Sequence, residues 1–191
     1  MLWAVGLDTR IDSGDLEALS CVLRQASSNK CIDDEGVEAL KKFVEEGGTL
    51  VCFDGACEFA INTLKLKLTN ALDGLPSKEF FRPGSTLHAC VDPNHPAAYG
   101  MPADSLIFFW NSRAFKIVPS GENDKYEVVA SYPEREILES GWLIGEGKLK
   151  RKAAMVVARH GEGKVVLIGF RPQHRAQTHG TYKLVFNSLY G

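Results

Sequence analysis

Between Asp33 and Glu46 the apolar residues recur at helical spacing. Val37, Leu40, Phe43 and Val44 share one face, and Lys41, Lys42, Glu45 and Glu46 cover the other. Asp33 or Asp34 is placed to cap the start of this helix, and Gly47-Gly48 is a strong stop. Thr49 to Phe53 then forms a short unbroken apolar run rich in β formers, the pattern of a buried strand. A helix followed at once by a buried strand predicts a unit of a parallel sheet. A second helix is predicted from Ala56 to about Leu66.

Upstream, Leu2 to Leu7 reads as a strand, Leu19 to Leu23 as a strand or part of a helix, and Ser27-Ser28-Asn29 as a loop. From residue 73 to 135 the pattern changes. Seven prolines punctuate short apolar runs at Thr86–Val91, Leu106–Trp110, Phe115–Val118 and Tyr126–Tyr132, which predicts a β-rich excursion from the sheet. Gly121 to Lys125 is the composition of an exposed hairpin tip. Ala153–Ala158 and Lys164–Phe170 read as two strands joined through His160-Gly-Glu-Gly163, and Thr181 to Leu189 as a closing helix with Leu184, Val185 and Leu189 inward. The expected architecture is one α/β domain over residues 1–191, a three-layer sandwich with a mostly parallel central sheet.

Composition narrows the function classes. The hydrophobic fraction of 45% fills a real core, and the net charge of −2 provides no global field for nucleic acid. No apolar run approaches the ~20 residues of a membrane-spanning helix. No basic segment precedes the first apolar run, so no signal peptide is read; a complete chain would be cytoplasmic, and a fragment of a longer precursor could be exported. The five cysteines, at 21, 31, 52, 57 and 90, are odd in number and lack CxxC spacing. That pattern argues for a reducing compartment, without a disulfide framework or zinc knuckle. No cofactor and no metal are expected; His88 and His95, near Asp92, read as surface-loop residues.

Candidate chemistry gathers at two places. In Gly47 to Ile61 a strand, a sharp turn and a helix start succeed one another, with Asp54 placed to cap the turn and Gly55 to supply an unusual φ. Cys57 then falls at the carboxyl end of a strand beside a helix N-terminus, where α/β proteins display nucleophiles. The second place is Phe170 to Gly180, beyond a late strand. Its Arg171, Gln173, His174, Arg175, Gln177, Thr178 and His179 supply donors that suit a carboxylate or other anion. Arg171 either serves a ligand or pairs with Asp54 or Glu58; both place it near Cys57. His174 and His179 are the alternative bases for a Cys57 thiol. Trp142, in Ser140-Gly-Trp-Leu143, is placed either to roof a pocket or to fill core.

Gly55-Ala56-Cys57 and Phe170-Arg171-Pro172-Gln173 resemble the two motifs of the class I glutamine amidotransferase-like, flavodoxin-like fold, a nucleophile in Gly-x-Cys-x-Gly and its partners in Phe-His-Pro-Glu. A resemblance over nearly the whole chain is carried by Phe81-Arg-Pro-Gly84, Asp92-Pro-Asn-His-Pro96, Tyr99-Gly-Met-Pro102, Ser140–Leu143 and Gly169–Gly180. It is to the amidotransferase-like domain at the C-terminus of bacterial zinc carboxypeptidases of the carboxypeptidase A type. The resemblance implies a peptidase domain as partner. No His-x-x-Glu with a distant His occurs, so zinc chemistry is not carried over.

The departures from the motif bear on chemistry. Arg171 stands at the position of the base, and a guanidinium with a pKa above ~12 does not accept the thiol proton. Gln173 stands where a carboxylate would orient that base, and Phe59 replaces the second glycine. The resemblance also starts late, as if a first strand and helix were missing, which leaves a sheet edge for direct strand pairing or for a homo-oligomer. The first expectation is a non-catalytic module that binds a small ligand or a protein partner. The second is a cysteine hydrolase using Cys57 with His174 or His179. The third is a structural or oligomerisation domain.

Overall fold

The computed structural model describes residues 2–5, as backbone, together with 33–121 and 125–190. The readings at Leu19–Leu23 and Ser27–Asn29 lie outside the described residues, as do Cys21 and Cys31.

The first helix, α1 (Asp34–Glu45), starts where an acidic side chain can satisfy an open N–H: Asp33 accepts from the Gly36 amide at 2.8 Å. Asp34 and Glu35 sit in its first turn and Lys42 in its last, matching the helix dipole. It ends as the glycines require, with Gly47 at φ 111° and the Gly48 amide closing onto Phe43 O at 2.8 Å. Leu40 and Val44 are buried; removing each from water stabilises the fold by roughly 1.5–3 kcal/mol. Strand β2 (Thr49–Phe53) follows, then α2 (Ala56–Thr63), shorter than its apolar pattern suggested.

The remaining strands are β1 (Leu2–Val5), β3 (Leu68–Asn70), β4 (Ser85–Val91), β5 (Asp104–Phe109), β6 (Phe115–Ile117), β7 (Tyr126–Ser131), β8 (Leu138–Ser140), β9 (Ala153–His160) and β10 (Gly163–Ile168). Helix α3 (Tyr182–Tyr190) closes the chain. One ten-stranded sheet runs β1-β2-β10-β9-β7-β4-β5, with β3, β6 and β8 attached beside it.

The sheet is mixed and largely antiparallel, which corrects the expectation of a mostly parallel one. Among the described strands only β2 and β10 pair in parallel, Val51 beside Val166. The cause is the excursion. β4 to β9 are joined by turns rather than by crossover helices, so each returns antiparallel to a neighbour. The strands on either side of Gly121–Lys125 do not form a hairpin with each other: β6 pairs with β3 and β9, while β7 pairs with β4 and β9. β1 lies antiparallel on the outer side of β2, Leu2 opposite Cys52, and ends that side of the sheet among the described strands.

Helices lie on both faces. Leu50 and Cys52 of β2, with Val165 and Leu167 of β10, point into one core shared with α1 and α2. Val51, Phe53, Val166 and Ile168 point into the other, which holds Leu184 of α3 and the interiors of β4, β5 and β7. Strand alternation thus divides the core in two. It also leaves the carboxyl ends of β2 and β10 side by side as one platform.

Candidate functional site

At the end of β2 the chain reverses into α2. A left-handed residue is required at that turn, and Asp54 takes it, at φ 51°. Gly55 has ordinary helical angles, φ −60° and ψ −27°. Aspartate is among the few non-glycine residues that enter this region readily. The strained strand-to-helix position, where such folds present a nucleophile, therefore belongs to Asp54 rather than Cys57.

Cys57, three residues on, is the second residue of α2 and is fully buried. Nearly one helical turn past the elbow, its side chain points back beneath the sheet. Its Sγ lies 3.4 Å from both Cys52 O and Ile168 O, to which the thiol can donate. Burial pushes its pKa well above the ordinary thiol value; the neighbouring Cys52 and Asp54 push the same way, and Arg113 opposes them. The thiol is protonated and enclosed, which is the opposite of the environment that makes a cysteine reactive.

Charge gathers on the other side of the elbow. Arg171 Nε donates to Asp54 Oδ2 at 2.6 Å, and Arg113 Nη1 donates to Asp54 Oδ1 at 3.2 Å. Arg113 also grips Glu58 with two bonds, Nε to Oε1 at 2.8 Å and Nη2 to Oε2 at 3.2 Å. Asn70 Nδ2 adds a bond to Glu58 Oε1 at 3.1 Å. Burial raises the Asp54 pKa, and the guanidiniums of Arg171 and Arg113 pull it back part of the way. Glu58 thus pairs with Arg113, and Asp54 bridges both arginines.

Arg113 is anchored through its backbone as well. Its amide donates to Gly169 O, and its carbonyl accepts from Tyr132 Oη at 3.0 Å. The Arg171 guanidinium lies over the Trp110 ring, 4.9 Å from its centroid. His174 stacks on Phe108 at 4.4 Å and meets Trp110 edge-on at 5.2 Å. Burial lowers the His174 pKa, assisted by Arg171 and Arg175. Arg82 comes from the loop before β4, its guanidinium 5.1 Å from the Phe80 centroid. Its Nε is buried and has no hydrogen-bond partner among the described residues.

The rest of the late run is distributed elsewhere. Gln173, Arg175 and His179 are exposed, and His179 packs edge-on to Tyr182. Arg175 and Ala176 are successive left-handed residues, φ 48° and 54°. Gln177 and Thr178 line a separate open cavity of about 590 Å³ beside Asp104 and Glu139. Both of those carboxylates hold His88, at 2.9 Å each, and their hydrogen bonds raise its pKa. Trp142 does not line that cavity; it is 62% exposed and tied through its backbone to Ser85 Oγ. His88 belongs to β4 rather than to a loop. No group of three metal-ligating side chains occurs among the described residues.

Sequence reasoning missed Arg113 and Arg82. Arg113 carries no motif, and its carboxylate partner is distant in sequence. Arg82 lies within Phe81–Gly84, a run that carries the family resemblance but suggests no chemistry of its own.

No protein-family model and no curated protein matches the sequence. Solved structures do match the fold. A cytoplasmic protein from Salmonella typhimurium aligns with a TM-score of 0.51 and 16% identity, over 89% of this chain and 65% of the other. A putative GMP synthase component from Thermoplasma acidophilum aligns with a TM-score of 0.50 and 10% identity, over 82% of this chain and 63% of the other. The chain spans a little under two thirds of the length of these structures. At such identities the likeness concerns the fold alone.

Proposed function

We propose that this chain is a non-catalytic, amidotransferase-like module whose elbow face binds a small ligand or a protein partner. One observation carries the reading. The elbow position is filled by Asp54, both of whose oxygens are held by guanidiniums, while the nearby thiol is turned into the core. A carboxylate engaged at both oxygens is a poor nucleophile, and a buried neutral thiol is a poorer one. Neither His174 nor His179 is a hydrogen-bond partner of Cys57, which weighs against a recruited base. The peptidase partner implied by the sequence resemblance belongs to the same proposal, as one candidate for what the face meets.

Alkylation by iodoacetamide, resolved by peptide mass spectrometry, tests the reading. In the native protein Cys90, which is exposed, is expected to react, and Cys57 to react only after unfolding. Rapid, pH-dependent labelling of native Cys57, or any turnover lost in Cys57→Ala, would overturn it.

A further inference from the structure

We propose that the elbow face is an oxyanion site, in which Arg82 and Arg171 receive a carboxylate or phosphate group and Trp110 walls the body of the ligand. This rests on the reading that the face binds rather than reacts, and it names the ligand class.

The first argument is charge. Arg113 and Arg171 are paired with Asp54 and Glu58, and Arg82, near enough to feel both Arg113 and Asp54, adds a third guanidinium that leaves one positive charge in excess. The second is donor capacity. Arg113 uses Nε, Nη1 and Nη2 on Glu58, Asp54 and the Asn111 carbonyl. Arg171 is held to Asp54 through Nε, and among the described residues its terminal Nη groups have no acceptor. Arg82 has neither an ion pair nor a hydrogen bond among the described residues. A guanidinium presents its donors as a planar fork suited to carboxylate or phosphate.

The third argument is the state of Arg82. It is partly buried and feels the positive charge of Arg113, both of which lower its pKa, while Asp54 opposes them. A cation held beside another cation, with no ion pair of its own among the described residues, is relieved by an incoming anion. Gly55 presents no side chain at the elbow, and Trp110, 39% exposed, offers a ring beside the guanidinium of Arg171.

The experiment is thermal melting and calorimetric titration of the whole chain with acetate, benzoate and inorganic phosphate, against chloride at matched ionic strength. At least one oxyanion is expected to raise the melting temperature beyond chloride. Benzoate exceeding acetate would identify a carboxylate on a ring, and phosphate exceeding both would identify a phosphoryl group. Arg82→Gln should weaken binding about tenfold or more, as expected for a hydrogen bond to a charged group. It should lower the melting temperature in chloride only slightly, because among the described residues the contact Arg82 gives up is the one with the Phe80 ring. Trp110→Leu should reduce the advantage of benzoate over acetate.

Absence of any oxyanion effect beyond chloride, unchanged affinity in Arg82→Gln, or a large destabilisation of that variant in chloride would overturn the site. Unreactive Cys57 with no anion binding would remove this inference and leave the non-catalytic reading standing. Reactive Cys57 with anion binding would do the reverse.

Discussion

Asp54 and Cys57 stand three residues apart and occupy opposite environments. Asp54 faces two arginines at the end of the sheet; Cys57 faces backbone carbonyls in a core of leucine, valine and alanine. The difference follows from the turn. A strand that ends in one left-handed residue and enters a helix sends the elbow side chain outward, and sends a residue a helical turn later back beneath the sheet. Chemistry at this platform therefore depends on which residue lands on the turn, and a cysteine within a familiar spacing has no bearing unless it does.

Substitutions on the two sides separate these environments. The largest effect belongs to Asp54→Ala, which leaves Arg113 and Arg171 without their shared carboxylate. The cost is about 3 kcal/mol by urea unfolding, at the low end for a broken buried ion pair because the Arg171 side chain is 34% exposed. A loss below half of that would mean the arginines are held by other groups. The same carboxyl sets a pH dependence. Its pKa is raised in the folded state, so the native protein holds this proton more tightly than the unfolded chain. Its contribution to stability falls as pH rises from the ordinary value of 3.8 through the raised one, and Asp54→Ala should flatten that slope.

Cys57→Ala comes next. It removes a fully buried thiol and leaves a small void, for about 1–2 kcal/mol and no change in ligand binding. Smallest is Gly55→Ala. The backbone there is already helical, and a Cβ would meet Arg113 Nη2 at an ordinary 3.6 Å. The variant should be neutral or stabilised by about 0.4–1 kcal/mol. A large loss would return to Gly55 the conformational role that the structure assigns to Asp54.

What was legible in the sequence was local. The period of Val37, Leu40, Phe43 and Val44, stopped by two glycines, marks α1, and the β-former run after it marks β2. The hairpin of β9 and β10 was equally plain around Gly161 and Gly163. β3 and β8, three residues each, are too short to show a period. Strand direction was not legible either, since it depends on which strand becomes a spatial neighbour. β9 lies between β10 and β7, and nothing in Ala153–His160 records that.

At the site, the pairing of Arg171 with Asp54 was within reach because both flank strand ends. The partnership of Arg113 with Glu58 was not, because it joins a loop before β6 to a helix across the sheet. The positive φ was expected one residue late, at Gly55, because glycine adopts it best, and the nucleophile position three residues late, at Cys57.

The two arginines that share Asp54 differ in how they are mounted. Arg113 is fixed to the frame, its amide on the Gly169 carbonyl beyond β10 and its carbonyl on Tyr132. Arg171 opens a string of short turns that carries two consecutive left-handed residues, each of which costs roughly 1–2 kcal/mol to hold. Arg171 is joined to β5 through its amide, which donates to Phe108 O at 3.3 Å, and to the turns that follow through its carbonyl, so both arginines reach Asp54 from a backbone already tied to the sheet.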